Sequence, residues 1–322
     1  MAIKNTVLLG NGITRSLEPT FGGLSWEDIL NKLSERFSVP VYDLNQKPLP
    51  LVFEKIRLQL IRDGKDPNEL IKDVAQLLSK SGLANRLTDI YSGLARNILT
   101  TNYNRSVDGG VGYKHPFTPK FQKVSEKYHS LFRAKTDGKK VFWKIHGDVE
   151  KPSSMLLGYN QYAKYMGQVK DYLYKGIQFA HMNEPVRSPL MGKKPNFNFE
   201  KNCELYSWVD VFLKDQIHII GLGLDFSEII LWWLISEKAS LQAQHPSNIG
   251  GISYYSIELP NKIKSVSQQC IRTMLSDLGA RIVEVQADDY VDGYLQIAEM
   301  LRPGIEAKYH YDDFSFLKKS PD

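Results

Sequence analysis

Cysteine is nearly absent from this chain of 322 residues: there are two, Cys203 and Cys270, far apart in sequence. That number excludes a disulfide framework and a structural zinc site built from cysteines. Long apolar runs are missing too, and no window approaches the roughly 18 residues that a membrane-spanning helix needs. The first ten residues turn glycine-rich too soon for a secretory signal. The expectation is a cytoplasmic protein that does not engage a membrane. Long runs of one charge sign are also lacking. The net charge of +5 suits phosphate-bearing ligands or an acidic partner, but falls short of the clustered basic face of a dedicated nucleic-acid binder. The pairs Lys139-Lys140, Lys193-Lys194 and Lys318-Lys319 read as solvated corners.

What is present is ordinary in amount, 42% hydrophobic and 24% charged, and enough to bury a large core. Residues 4–9 read as a first strand that runs into Gly10-Asn11-Gly12-Ile13-Thr14-Arg15. Two glycines around one residue let the backbone turn sharply and approach a ligand, and the N–H groups freed there suit anions. The third glycine of the dinucleotide fingerprint is missing, so a plain turn is the rival reading. Residues 24–95 then read as a helical insertion, opened by Ser25 as a cap and by the stripe Trp26, Ile29, Leu30 and Leu33. Prolines 40, 48 and 50 break its first helix from its second.

Two short apolar runs follow, 97–99 and 140–145, each ending in small or polar residues: Thr100-Thr101-Asn102-Tyr103-Asn104 and His146-Gly147-Asp148. Between them, 105–139 reads as loop. Residues 151–202 read as an irregular insertion with one helix over 160–179 and a long exposed loop over 185–201. The last third alternates: helix 205–213, strand 217–220, the turn Gly221-Leu222-Gly223-Leu224-Asp225, helix 226–241, strand 252–259, helix 262–278, strand 281–285 and helix 290–301. This predicts an α/β fold, a Rossmann-like parallel sheet with helices on both faces and a helical insertion. The expectation is one domain over 1–322, its core drawn from 1–23, 96–150 and 203–302, with a surface tail over 303–322.

Ligands of open α/β sheets bind outside the carboxyl ends of the strands, so polar residues there are the candidates. Asn102 offers a donor and two acceptor sites, and it also suits a turn that closes a strand. His146 reads either as a general base or as a hydrogen-bonded strand-end histidine. Asp225 and Glu228 resemble a capping arrangement for a helix beginning at Phe226, compatible with a ligand role for Asp225. Glu258 is either a ligand or the polar end of a strand. Asp288 and Asp289 read as caps before adenine contacts, and Tyr159 and Tyr162 as pocket-lining. His218 reads as a packed core residue, Trp232 and Trp233 as helix core, and His115, His129, His181 and His245 as surface residues.

Taken together these pieces resemble the sirtuin family, and more closely the bacterial sirtuin-like domains that act as NAD-cleaving effectors in antiphage defence. Gly10-Asn11-Gly12-Ile13-Thr14 looks like the glycine loop that cradles the NAD phosphates. Thr100-Thr101-Asn102-Tyr103-Asn104 looks like the asparagine motif, and His146-Gly147 like the catalytic histidine. Gly221-Leu222-Gly223-Leu224-Asp225 is similar to the loop that meets the adenosine ribose, and Ile257-Glu258 stands where that ribose is often contacted again. The resemblance therefore implies catalytic roles for Asn102 and His146. It implies cofactor contacts for Gly10, Asn11, Gly12, Thr14, Thr101, Asn104, Gly221, Gly223, Asp225 and Glu258. Three departures stand out: the four zinc cysteines of protein-deacylating sirtuins are absent, Asn104 replaces their aspartate, and their extended phenylalanine- and arginine-containing loop is not evident.

The departures favour plain hydrolysis of NAD, as substrate and without a metal, to nicotinamide and ADP-ribose. The nicotinamide of NAD⁺ is already cationic and leaves without a proton from a general acid. The transition state resembles an oxocarbenium ion. An asparagine suits holding the ribose and positioning water, and a histidine, titrating near neutrality as a residue type, suits the base. The resemblance further implies control by homo-oligomerisation or by a partner in a defence complex, such as an ATPase, a nuclease or an Argonaute-like protein. The alternatives are an NAD- or ADP-ribose-binding subunit without turnover, and an NAD-dependent deacylase.

Overall fold

Strand β1 (Asn5–Leu9) lies at the centre of a seven-stranded sheet. The others are β2 (Asn97–Thr100), β3 (Ala134–Thr136), β4 (Val141–Lys144), β5 (Gln216–Ile220), β6 (Ile252–Glu258) and β7 (Arg281–Gln286). The structure is a computed structural model that describes residues 3–16, 24–40, 48–79, 86–109, 131–179, 182–191, 205–260 and 262–302. The spatial order is β3-β4-β2-β1-β5-β6-β7; β3 runs antiparallel to β4 and every other pairing is parallel. Apart from β3, the strands follow the doubly wound Rossmann order, whose winding reverses between β1 and β5.

Both faces of such a sheet are covered, so its central strands are largely apolar and their side chains alternate between two cores. Leu8, Leu99, Trp143, Ile217 and Ile219 point to one core; Val7, Leu9, Ile98, Phe142 and Ile220 point to the other. The helices are α1 (Gly12–Arg15), α2 (Trp26–Phe37), α3 (Leu49–Arg62), α4 (Asn68–Ser79), α5 (Arg86–Ser92), α6 (Tyr159–Tyr174), α7 (Trp208–Lys214), α8 (Ile229–Gln244), α9 (Val266–Asp277) and α10 (Tyr290–Leu301). Helices α2, α3 and α4 form a third core of their own around Leu33, Phe53, Ile56 and Val74. It is joined by Met155 and Leu157 from the chain beyond β4, which holds the helical insertion beside the strand ends.

The insertion begins as its sequence suggests. Ser25 Oγ accepts the N–H of Asp28 at 3.0 Å, and Asp28 Oδ2 accepts the N–H of Ser25 at 2.8 Å, a reciprocal cap. Several boundaries differ from the sequence reading, among them α7, which starts at Trp208 behind its cap Ser207 rather than at Leu205. Strand β3 lies within the predicted loop 105–139, and three residues containing a lysine carry no apolar alternation to reveal it. Helix α6 ends at Tyr174, where Gly176 takes a φ of 93° and Ile177 turns to bridge Val186. Helix α8 starts at Ile229 rather than at Phe226, because Asp225 Oδ1 accepts the N–H of Ser227 at 2.8 Å and holds a local turn first. Helix α9 starts at Val266 behind Ser265, whose Oγ accepts the N–H of Gln268. Val186 and Ser188 tie the start of the 185–201 loop to its surroundings. The rest of that loop from 192, the tail 303–322, Cys203, His115, His129 and His181 lie outside the described residues. No helix among the described residues is long and apolar enough to cross a membrane.

Leu8 is fully buried in the central strand, so Leu8→Ala should lower stability by roughly 2–5 kcal/mol through lost contact and a residual cavity. A lower urea midpoint at unchanged slope is the expected reading.

Candidate functional site

The chain leaves β1 into the Gly10–Gly12 turn and leaves β5 into Gly221, and the two turns are laced together. Gly10 donates its N–H to Ile220 O at 2.9 Å, and Gly12 donates its N–H to Gly221 O at 2.8 Å. Approach is so close that a Cβ on Gly10 would overlap the Gly221 carbonyl. One on Gly12 would stand 2.7 Å from Tyr294 Oη. Gly221 also has a φ of 66°, which favours glycine. Gly223, in contrast, is exposed with open space beside it. Asn11 Nδ2 donates to Leu24 O at 3.1 Å and so ties this turn to the helical insertion.

Around this waist the surface opens into two lobes. The first, of about 340 Å³, is bounded by Asn11, Trp26, Thr101, Asn102, Tyr103, Asn104, His146, Tyr162 and Glu228. The second, of about 370 Å³, is bounded by Tyr254, Glu258, Lys262, Lys264, Arg272, Tyr290 and Tyr294. Gly12, Arg15, Gly221, Leu222 and Gly223 border both. The cleft lies at the carboxyl ends of the strands, beside the reversal of winding, where a doubly wound sheet takes its ligand.

In the first lobe, Asn102 follows β2 and His146 follows β4. Asn102 donates its backbone N–H to Thr100 Oγ1 at 3.0 Å. Its Nδ2 lies 3.5 Å from both Gly10 O and Thr14 Oγ1, while its buried Oδ1 has no hydrogen-bond partner. Thr14 Oγ1 donates to Ser106 Oγ at 3.3 Å, and Ser106 Oγ donates to Asn104 Oδ1 at 2.7 Å. The glycine turn and the asparagine loop are thus linked side chain to side chain. His146 Nε2 lies 3.1 Å from Glu228 Oε2, yet off the hydrogen-bond axis, and both atoms count among the buried polar atoms without a hydrogen bond. Tyr162 packs edge-on against the His146 ring at 5.8 Å, and Tyr103 sits between His146 and Trp26. Burial, reinforced by the Glu228 carboxylate, pushes both phenols well above their ordinary range, so they stay protonated.

Beneath these loops lies a buried charge cluster. Lys144, the last residue of β4, donates from Nζ to Asn104 O and, at 3.3 Å, to Asn102 O. It also pairs with Asp108 at 3.0 Å. Lys135 of β3, wholly buried, pairs with Asp108 at 3.3 Å, Asp148 at 3.1 Å and Glu150 at 3.0 Å. Burial opposes the charge on Lys135, but these three carboxylates outweigh it and raise its pKa.

The structure brings Asn11, Gly12, Thr101, Asn102, Asn104, His146, Gly221 and Gly223 to the first lobe, with Gly10 and Thr14 directly behind it. Glu258 borders the second lobe, held by Lys264 and by Arg272 at 3.5 Å. Asp225 is exposed, borders neither lobe and closes its own turn. Glu228, one turn later, faces the cleft instead. Asp289 caps α10 by accepting the N–H of Asp292 at 2.8 Å, and neither it nor Asp288 borders a lobe. Tyr162 lines the cleft and Tyr159 does not. His218 is packed, within reach of Tyr255 Oη at 3.0 Å and Asn5 Oδ1 at 3.3 Å. Sequence reasoning passed over Arg15, Trp26, Tyr103 and Lys144 as site residues. Trp26 was visible only as the first member of a helical stripe, and Lys144 as the polar end of a strand. Among the described residues, no group of three or more His, Cys, Asp and Glu side chains is arranged to hold a metal ion.

Residues 96–187 fit the family model of the SIR2-like domain. That span is less than a third of the chain, and it carries β2, β4, Asn102 and His146. A SIR2-like domain implies chemistry that involves NAD. No curated protein matches the chain.

Lys144→Met would leave Asp108 and two loop carbonyls short of a buried cation, so it should cost roughly 3–5 kcal/mol. Denaturant unfolding reads this directly, and a loss under 1 kcal/mol would show that the pairing contributes little.

Proposed function

We propose that the protein is an NAD⁺ glycohydrolase, releasing nicotinamide and ADP-ribose. One observation carries this reading: Asn102, with an unpartnered buried oxygen, and His146 border the same lobe. That lobe continues past the glycine waist into a second of similar size. Such a two-lobed cleft suits a dinucleotide, with the nicotinamide riboside in the first lobe. The diphosphate would lie against the glycine turns, where Arg15 borders both lobes and suits an anion. The adenosine would fill the second lobe, where Glu258 can accept from ribose hydroxyls.

In the reaction the ribosyl C1′–N bond breaks, and its electron pair neutralises the pyridinium nitrogen as nicotinamide leaves. Asn102 holds a ribose hydroxyl and the attacking water, a matter of orientation in the main. His146 takes the proton of that water as its oxygen bonds to C1′. The cationic character that develops on the ribose faces a lobe that holds the Glu228 carboxylate beside Asn102 and His146. With two cysteines in the chain, the zinc module that accompanies protein deacylation has no ligands, which favours water as the acceptor.

By the resemblance of its motifs we assign the biological role as NAD⁺ depletion in the cytoplasm during phage infection. Oligomerisation or a protein partner would hold the activity in check until then. Incubation of the full chain with NAD⁺, alone and with candidate partners, should release nicotinamide. Asn102→Ala and His146→Ala should each lower the rate on the order of 10²–10⁴-fold. NAD⁺-dependent thermal stabilisation without turnover would instead mark a binding subunit. Dependence of nicotinamide release on an acyl-lysine peptide would mark a deacylase.

A further inference from the structure

Resting on that glycohydrolase reading, we infer that Glu228 is the positioning partner of His146, fixing which of its ring nitrogens carries the proton. Three of the buried polar atoms that lack a hydrogen bond meet in this lobe: Asn102 Oδ1, His146 Nε2 and Glu228 Oε2. Native proteins rarely leave such atoms unpaired, and clusters of them mark sites whose partners arrive with the ligand or with a small closing motion.

Glu228 is also placed against its local interest. It occupies the N-cap of α8, a 16-residue helix, yet its side chain makes no capping hydrogen bond. A side chain in that position gains by accepting a helix N–H. This one turns away and presents Oε2 to His146 Nε2 at 3.1 Å. Its other oxygen meets the Tyr162 hydroxyl at 3.5 Å. A carboxylate can only accept, so it selects the imidazole tautomer with the proton on Nε2 and leaves the lone pair on Nδ1 to act as base. Orientation of a histidine by a carboxylate is a general device in acid–base catalysis. Here the carboxylate comes from the loop after β5, and the imidazole from the end of β4. The base is therefore fully set only when the two sides of the sheet's switch point are in register.

The test has two arms. In the full wild-type chain, imidazole ¹⁵N shifts of His146 should report the Nε2–H tautomer. Glu228→Gln, whose amide can donate as well as accept, should shift the population towards Nδ1–H. In steady-state kinetics Glu228→Gln should lower kcat roughly 10²–10⁴-fold, the range for loss of a positioned acid–base group. KM should stay within about threefold of wild type, since transition-state orientation and not ground-state binding is removed. A wild-type Nδ1–H tautomer, a Glu228→Gln spectrum identical to wild type, or a raised KM at unchanged kcat would each overturn the inference. If the wild type itself releases no nicotinamide, the glycohydrolase reading fails, and the tautomer measurement still decides whether Glu228 governs His146.

Discussion

The cleft depends on one buried amine. Nζ of Lys144 reaches the carbonyls of Asn102 and Asn104 and the carboxylate of Asp108. Its own backbone lies two residues ahead of His146. The loop that presents the asparagine is thereby fastened to the strand that presents the histidine. Lys135 extends the same network to Asp148 and Glu150, in the chain that leaves His146. Charges in such a place contribute little net stability over apolar groups of the same shape, since desolvation offsets most of their attraction. Directionality is what they add: a lysine meets carbonyl and carboxylate oxygens in few geometries, whereas a leucine would leave the two loops free to slide. A displacement of an ångström between asparagine and histidine is enough to lower an oriented reaction substantially.

The glycine waist is the second constraint, and it is steric. Gly10 and Gly221 approach until no side chain fits between them. That closeness presses the carboxyl ends of β1 and β5 together and leaves the space on either side as two lobes. The lobes differ in character. The first is walled by Trp26, Tyr103 and Tyr162 around Asn102, His146 and the Glu228 carboxylate, with Arg15 at its border. The second gathers Lys262, Lys264 and Arg272 against Glu258 alone among its acids.

How much of this was legible in the sequence follows from the physics of each element. Strands buried on both faces appear as unbroken apolar runs, and β1, β2, β4, β5 and β6 could be read from that alone. Strand β3 could not, because its Lys135 is buried through charge pairing with residues 27 and 13 positions away by number (Asp108 and Asp148). No local pattern encodes such pairing. Asn102 and His146 stood out because strand ends are few and polar chemistry there is scarce. Asp225 and Glu228 were one turn out of place. The local turn in which Asp225 accepts from Ser227 and the helix cap read from the sequence use the same residue types, so composition could not separate them. Trp26 has the spacing of a core residue, and only the position of α2 beside the strand ends makes it a wall of the cleft.

The unpaired atoms argue for a ligand more strongly than the cavities do. A cleft of some 300 Å³ is commonplace beside an α/β sheet, and size alone says little about use. An asparagine oxygen, an imidazole nitrogen and a carboxylate oxygen, all buried and all without a hydrogen bond in one lobe, are costly to maintain in a protein that gains nothing from them, about 1–3 kcal/mol for each neutral group. Gln168 Oε1, outside the cleft, likewise lacks a hydrogen bond, whereas Asp210 is bonded to Tyr172, Ser188 and two backbone N–H groups. Three such atoms gathered in one lobe fit a polyhydroxylated ligand. Hydroxyl groups of a ribose can donate to the asparagine and carboxylate oxygens and exchange a proton with the imidazole, and a purely apolar ligand could do none of these.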